Sequence, residues 1–135
     1  MSKAAQVKAP WLKSKDPEVP ATLNYSTLSM CGRVEEMVRR YPDYIAYEFM
    51  GKCTTYAEMW KKINACAKSL KAIGIREGDK VTICMPNAPQ TLCMFYAVNM
   101  VGAIANMVHP LSAESEIAFY LRDSGSVAAI TLDQF

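Results

Sequence analysis

His109 is the only histidine in the 135-residue chain, and it closes the apolar run Ala103 to Val108, just before Pro110. An imidazole at the end of a strand can carry a proton or hold a ligand, and strand ends are where open α/β sheets bind theirs. His109 is therefore the candidate ligand- or cofactor-binding residue. No cysteine or carboxylate clusters with it in sequence, so the competing reading is a hydrogen-bonded histidine that shapes the turn. Ser112 and Ser115 invite nucleophilic chemistry beside it. The Gly-x-Ser-x-Gly elbow is absent, however, and Ser112 is expected to cap a helix. No residue is assigned a catalytic role.

Phosphate chemistry needs glycines whose backbone amides converge on an anion. The six glycines, Gly32, Gly51, Gly74, Gly78, Gly102 and Gly125, are dispersed, and all but Gly32 suit turns or helix stops. One strand-to-helix turn, Pro86-Asn87-Ala88-Pro89, could face an anion. Its two prolines donate nothing, and Asn87 is expected to cap the helix and occupy a donor. Metal chemistry has as little support. Cys31, Cys53, Cys66, Cys84 and Cys93 contain no Cys-x-x-Cys pair. Cys66 and Cys84 fall on expected apolar faces, where a free thiol acts as a small hydrophobe. Met59, Met94, Met100 and Met107 are expected in the core. This cysteine usage fits a reducing cytosol, so a cytoplasmic location is expected.

The elements that must position these residues follow from composition and periodicity. Hydrophobic residues make up 51% and charged residues 21%, enough for a core and too ordered a mixture for a disordered chain. A net charge of +2 gives no nucleic-acid footprint. Lys61, Lys62, Lys68 and Lys71 read as a solvated helix face. The start lacks the apolar stretch of a signal peptide. The apolar tract Leu92 to Val108 is interrupted by Asn99, Gly102 and Asn106, and is read as a buried helix and strand rather than a membrane span.

Residues 1–25, broken by Pro10, Pro17 and Pro20, are expected to form an extended arm, with Trp11, Leu12, Leu23 and Tyr25 available to pin it to the body. Residues 26–135 are expected to form an α/β subdomain. A helix from Leu28 to Tyr41 precedes a small hairpin, Ile45 to Phe49 returning through Cys53-Thr54 after a Gly51-Lys52 turn. Thr55 and Glu58 form a capping box for a helix whose apolar stripe includes Met59, Trp60, Ile63, Cys66, Ala67, Leu70 and Ile73, stopped by Gly74, with Ile75 set for the contact that follows a glycine cap. Val81 to Met85 is a strand, Ala88 to Val101 a helix buried on more than one side, Ala103 to Val108 a strand, Ser112 to Asp123 a helix ended at Gly125, and Val127 to Leu132 a strand. This alternation predicts a mostly parallel sheet flanked by helices through right-handed crossovers.

The order Gly74-Ile75-Arg76-Glu77-Gly78-Asp79-Lys80-Val81, then Pro86-Asn87-Ala88-Pro89, then Gly102-Ala103, resembles the early large domain of the adenylate-forming acyl-CoA synthetases. Arg39 to Tyr47, Thr55-Tyr56-Ala57-Glu58, Ser112 to Ile117 and Leu121 to Gly125 are similar to that family in the same order. His109-Pro110-Leu111-Ser112 looks most like the fatty acyl-CoA ligases, although many relatives carry Asn where His109 stands. The resemblance implies a parent enzyme that uses ATP, magnesium and coenzyme A. A carboxylate, here a fatty acid, attacks the α-phosphorus of ATP, and a thiol then displaces AMP. The family's Pro-Lys-Gly phosphate loop and its later Thr-Glu do not occur in this sequence, and no match to its C-terminal lysine region is found. The expectation is an N-terminal piece of a larger domain, inactive and cofactor-free by itself. Its partners would be the remaining segments of the parent, and apolar surface on the Ala88 to Val101 helix would make it self-associate. The alternative is a free-standing, non-catalytic α/β interaction or regulatory module. A signal-receiver version lacks the acidic residues it would need at the strand ends.

Overall fold

In the computed structural model, which describes residues 9–133, the elements run α1 (Met30–Arg40), β1 (Ile45–Phe49), β2 (Lys52–Thr55), α2 (Tyr56–Ala72), β3 (Lys80–Cys84), α3 (Pro89–Met100), β4 (Ile104–Val108), α4 (Glu114–Ser124) and β5 (Ala128–Thr131). β1 and β2 form an antiparallel pair, and the other strands form a parallel sheet in the order β4-β3-β5.

Local signals start and stop the helices. Glu58 N–H donates to Thr55 Oγ1 at 3.3 Å and Thr55 N–H donates to Glu58 Oε2 at 2.9 Å, the reciprocal capping box expected for α2. At its other end Ile75 N–H donates to Leu70 O and Gly74 N–H to Lys71 O, each at 3.0 Å, with Gly74 at φ 95°. This is the paired-bond glycine stop, and the apolar contact between Leu70 and Ile75 enters the core. α3 ends the same way through Gly102, and α4 through Gly125.

β3 lies between its neighbours, so all of Val81, Thr82, Ile83 and Cys84 are buried. Val81 and Ile83 face the core formed with α2 and α3, which contribute Ile63, Leu70, Ala97 and Val98. The connection from β3 to β4 leads to one side of β3 and that from β4 to β5 returns past it. Right-handed crossovers then place α3 and α4 on opposite faces. Thr82 lies on the α4 face. Its Oγ1 accepts from Asn106 Nδ2 at 3.0 Å and lies 2.7 Å from Ser126 Oγ, which in turn lies 2.8 Å from Ser124 Oγ of α4.

Several expectations are corrected. The hairpin turn is Met50-Gly51, both at positive φ, and Lys52 already pairs with Phe49; a two-residue turn of this hand matches the strand twist. α1 starts at Met30 because Ser29 caps it, accepting from Gly32 N–H at 3.0 Å. Asn87 is not a cap: α3 begins at Pro89 after Ala88, and Thr91 Oγ1 donates back to Pro86 O at 2.6 Å. Ser112 is not a cap either: the boundary residue is Ala113, whose N–H donates to Glu116 Oε2 at 3.0 Å. Ile73 is 70% exposed, because α2 has ended before it and the chain turns. Met107 is about half exposed on the edge strand β4, outside the core.

Of the expected arm, Met1 to Lys8 lie outside the described residues. Pro10–Ser14 forms a single 3-10 turn rather than irregular chain, with proline at its first position. Trp11, Leu12, Leu23 and Tyr25 are all exposed and do not pin it.

Candidate functional site

β3 and β4 are neighbours whose connections leave toward opposite faces, which is the position where open α/β sheets place their ligands. Two loops meet there, Met85 to Ala88 after β3 and His109 to Ala113 after β4.

His109 is exposed. Its Nδ1 accepts the Leu111 N–H at 3.2 Å, and its carbonyl accepts the Ser112 N–H at 3.1 Å and the Cys84 thiol at 3.9 Å. With Nδ1 occupied as an acceptor, the neutral ring carries its proton on Nε2. These contacts shape the turn. Neither Ser112 nor Ser115 donates a hydroxyl hydrogen bond to the ring among the described residues, so the structure does not bring the three together as a nucleophile and base.

A mostly apolar groove of about 330 Å³ opens beside the β3 end, between β1 and α3. Tyr47 and Phe49 form one wall and Leu92 and Phe95 the other, with Asn87 at the loop. His109 does not line it. The loop before α3 thus contributes Asn87 to a surface groove, in place of the cap its sequence suggested.

Among the described residues neither a glycine-built phosphate cradle nor a magnesium-holding cluster is assembled. The left-handed glycines Gly51, Gly74, Gly78, Gly102 and Gly125 each serve a separate turn or helix stop, so no set of amides converges as a phosphate cradle. Pro89 removes a donor from the first turn of α3. Among the described residues no three His, Cys, Asp or Glu side chains gather to hold a metal, and no helix is long and apolar enough to cross a membrane.

Three residues have roles that the sequence did not reveal. Asn99, in the last turn of α3, accepts the Cys31 N–H with Oδ1 at 2.9 Å, satisfying one of the unpaired amides at the start of α1. Thr82 and Asn106 are register partners, which makes their side-chain bond possible. A threonine and an asparagine inside apolar strands were the available signal; their pairing required the register.

Residues 34–135 match the family model of the AMP-binding enzymes. The chain belongs to this family. It is 31% identical over 128 residues to a long-chain-fatty-acid–CoA ligase of Bacillus subtilis, covering 95% of this chain and 23% of the relative. It is 42% identical over 76 residues to the long-chain-fatty-acid–CoA ligase FadD13 of Mycobacterium tuberculosis, covering 56% and 15%. The N-terminal subdomain of NpsA from Klebsiella oxytoca superposes with a TM-score of 0.75 at 26% identity, over 78% of this chain and 28% of that one. The chain thus spans about a quarter or less of the curated relatives it matches. In those relatives this region is one part of a larger polypeptide, and its α/β architecture is that of an adenylation-enzyme N-terminal subdomain.

Proposed function

We propose that this chain forms the first α/β portion of an ATP-dependent acyl-CoA synthetase that joins a fatty acid to coenzyme A through an acyl-adenylate. The observation that carries the proposal is the family match over residues 34–135 together with the fatty-acid ligases among its relatives. On this reading the β4-β3-β5 sheet is scaffold, the carboxylate, ATP, magnesium and coenzyme A are handled by other segments, and His109 shapes a loop without touching the reacting atoms. On this reading the isolated chain adenylates nothing; the dispersal of its left-handed glycines, and the lack among the described residues of three His, Cys, Asp or Glu side chains gathered together, support it.

Pyrophosphate release with ATP and a panel of fatty acids tests both halves. The isolated chain should release none. The chain joined to the remaining three quarters of the Bacillus relative should release pyrophosphate in a fatty-acid-dependent way. Turnover by the isolated chain, or a joined polypeptide that melts cooperatively yet shows no fatty-acid dependence, would overturn the proposal.

A further inference from the structure

Residues 1–15 contain Lys3, Lys8, Lys13 and Lys15 and no acidic residue. The whole chain carries a net charge of only +2, so the remainder is net negative. Among the described residues every ion pair lies within α1, which leaves Lys13 and Lys15 without a carboxylate partner. The same stretch exposes large apolar side chains. Trp11 and Leu12 belong to the 3-10 turn Pro10–Ser14, Trp11 with 65% of its surface in solvent, and exposed Val19, Leu23 and Tyr25 follow. Leu12 N–H donates to Ala9 O at 3.1 Å, Val19 N–H to Asp16 O at 3.1 Å and Glu18 N–H to Asp16 Oδ1 at 3.0 Å. The backbone is thus shaped by its own turns while the apolar side chains stay in water.

Elsewhere basic charge and apolar exposure are separate. α2 presents Lys61, Lys68 and Lys71 to solvent, yet no large apolar residue within it is exposed. α4 exposes Phe119 and Tyr120, but carries Glu114, Glu116 and Asp123 against Arg122 alone. At the hairpin tip, exposed Phe49 and Met50 lie between Glu48 and Lys52, whose charges cancel.

We infer that the segment from Pro10 to Tyr25 is a peripheral docking element for an anionic lipid bilayer, with Trp11 and Leu12 entering the interface and Lys13 and Lys15 meeting the headgroups. Tryptophan suits that boundary because its ring is apolar and its N–H polar. Each lysine near an anionic surface strengthens attachment about fivefold, and lasting attachment takes an apolar insertion and a basic patch together. Leu12, Val19 and Leu23 favour a bilayer over single-stranded nucleic acid, which rewards stacking rings rather than aliphatic chains. The net-negative body is repelled by the same surface, which confines contact to this segment. The segment precedes the family match at residues 34–135, yet the match to the Bacillus ligase, over 95% of the chain, takes in most of it. It is therefore an addition to the shared domain rather than part of it.

Flotation of the full chain with phosphatidylcholine–phosphatidylserine vesicles tests the element, since vesicle-bound protein rises and self-associated protein does not. The chain should float with these vesicles and not with phosphatidylcholine alone. Salt that shortens the screening length well below the roughly 10 Å of a 0.1 M solution should release it. Lys13→Gln/Lys15→Gln should weaken binding about twentyfold, and Trp11→Ser several-fold; these side chains lie outside the core, so both variants keep the fold. Lys61→Gln/Lys68→Gln/Lys71→Gln should bind nearly as the unaltered chain does. Vesicles should also shift the tryptophan emission to the blue, and Trp11→Phe, which keeps Trp60, should abolish the shift. Failure to float, equal flotation with neutral vesicles, loss of flotation in the α2 variant but not in the Lys13 and Lys15 variant, an emission shift that survives Trp11→Phe, or tighter binding to single-stranded RNA than to the vesicles would each overturn the inference.

Discussion

Met50 sits at φ 50°, the one non-glycine residue at positive φ among the described residues, and is 91% exposed at the hairpin tip. A left-handed conformation costs a residue with a Cβ roughly 1–2 kcal/mol, and Asn or Gly relieves it. Met50→Asn, which places Asn before Gly51, should therefore stabilise the chain by about 0.5–1 kcal/mol in urea unfolding. Asn99 has the opposite lesson. Asn99→Leu should cost about 1–3 kcal/mol, because the Cys31 N–H loses its acceptor, and hydrogen exchange at Cys31 should accelerate. The Glu58 carboxyl is held below its ordinary range, chiefly by the Thr55 backbone N–H that it accepts. A depressed carboxylate stabilises the folded chain above its unfolded value, and that contribution is lost as pH falls through the folded one. Glu58→Gln should thus flatten the loss of stability in the acid range below the ordinary glutamate value, as followed by thermal melts across pH.

At the scale of elements, what was legible was local. Thr55 with Glu58 and Gly74 with Ile75 state their roles within one turn of chain, and both are found as read. Gly102 repeats the device under tighter conditions: a Cβ there would lie 3.0 Å from Glu77 Cγ at φ 80°. Gly102→Ala should therefore destabilise by more than about 1 kcal/mol, and by more than Gly74→Ala, where the space is open. Asn87 and Ser112 were misread because both had the right chemistry one residue too early: Thr91 and Glu116, farther along each helix, make the decisive bonds. The Thr82–Asn106–Ser126 link was not legible at all, since it depends on which strands are neighbours and in what register.

For the whole molecule, coverage of the sheet is uneven. α2 and α3 each bury four residues, whereas α4 buries none fully. α3 is packed against α1, α2, β3 and β4, while its partly buried Leu92 and Phe95 still line the apolar groove beside β1. The exposed large apolar residues also include Ile104 on the β4 edge, Leu111 in the loop after it, and Phe119 and Val127 in and beyond α4. Among the described residues β4 and β5 are both edges of the sheet, and neither strand carries a charged residue or proline to guard it. We propose that the isolated chain self-associates through these edges. Light scattering should show a mass that rises with concentration and falls back in Ile104→Lys, and a clean monomer at high concentration would exclude it.

The central place of β3 also bears on how the chain is made. A ribosome extrudes β3 before either strand that flanks it, then β4, then β5. Each newcomer therefore docks on a vacant side of a strand already present, and none has to be threaded between two that have already joined. Synthesis order and spatial order agree, so the growing polypeptide can add one crossover at a time without undoing the last.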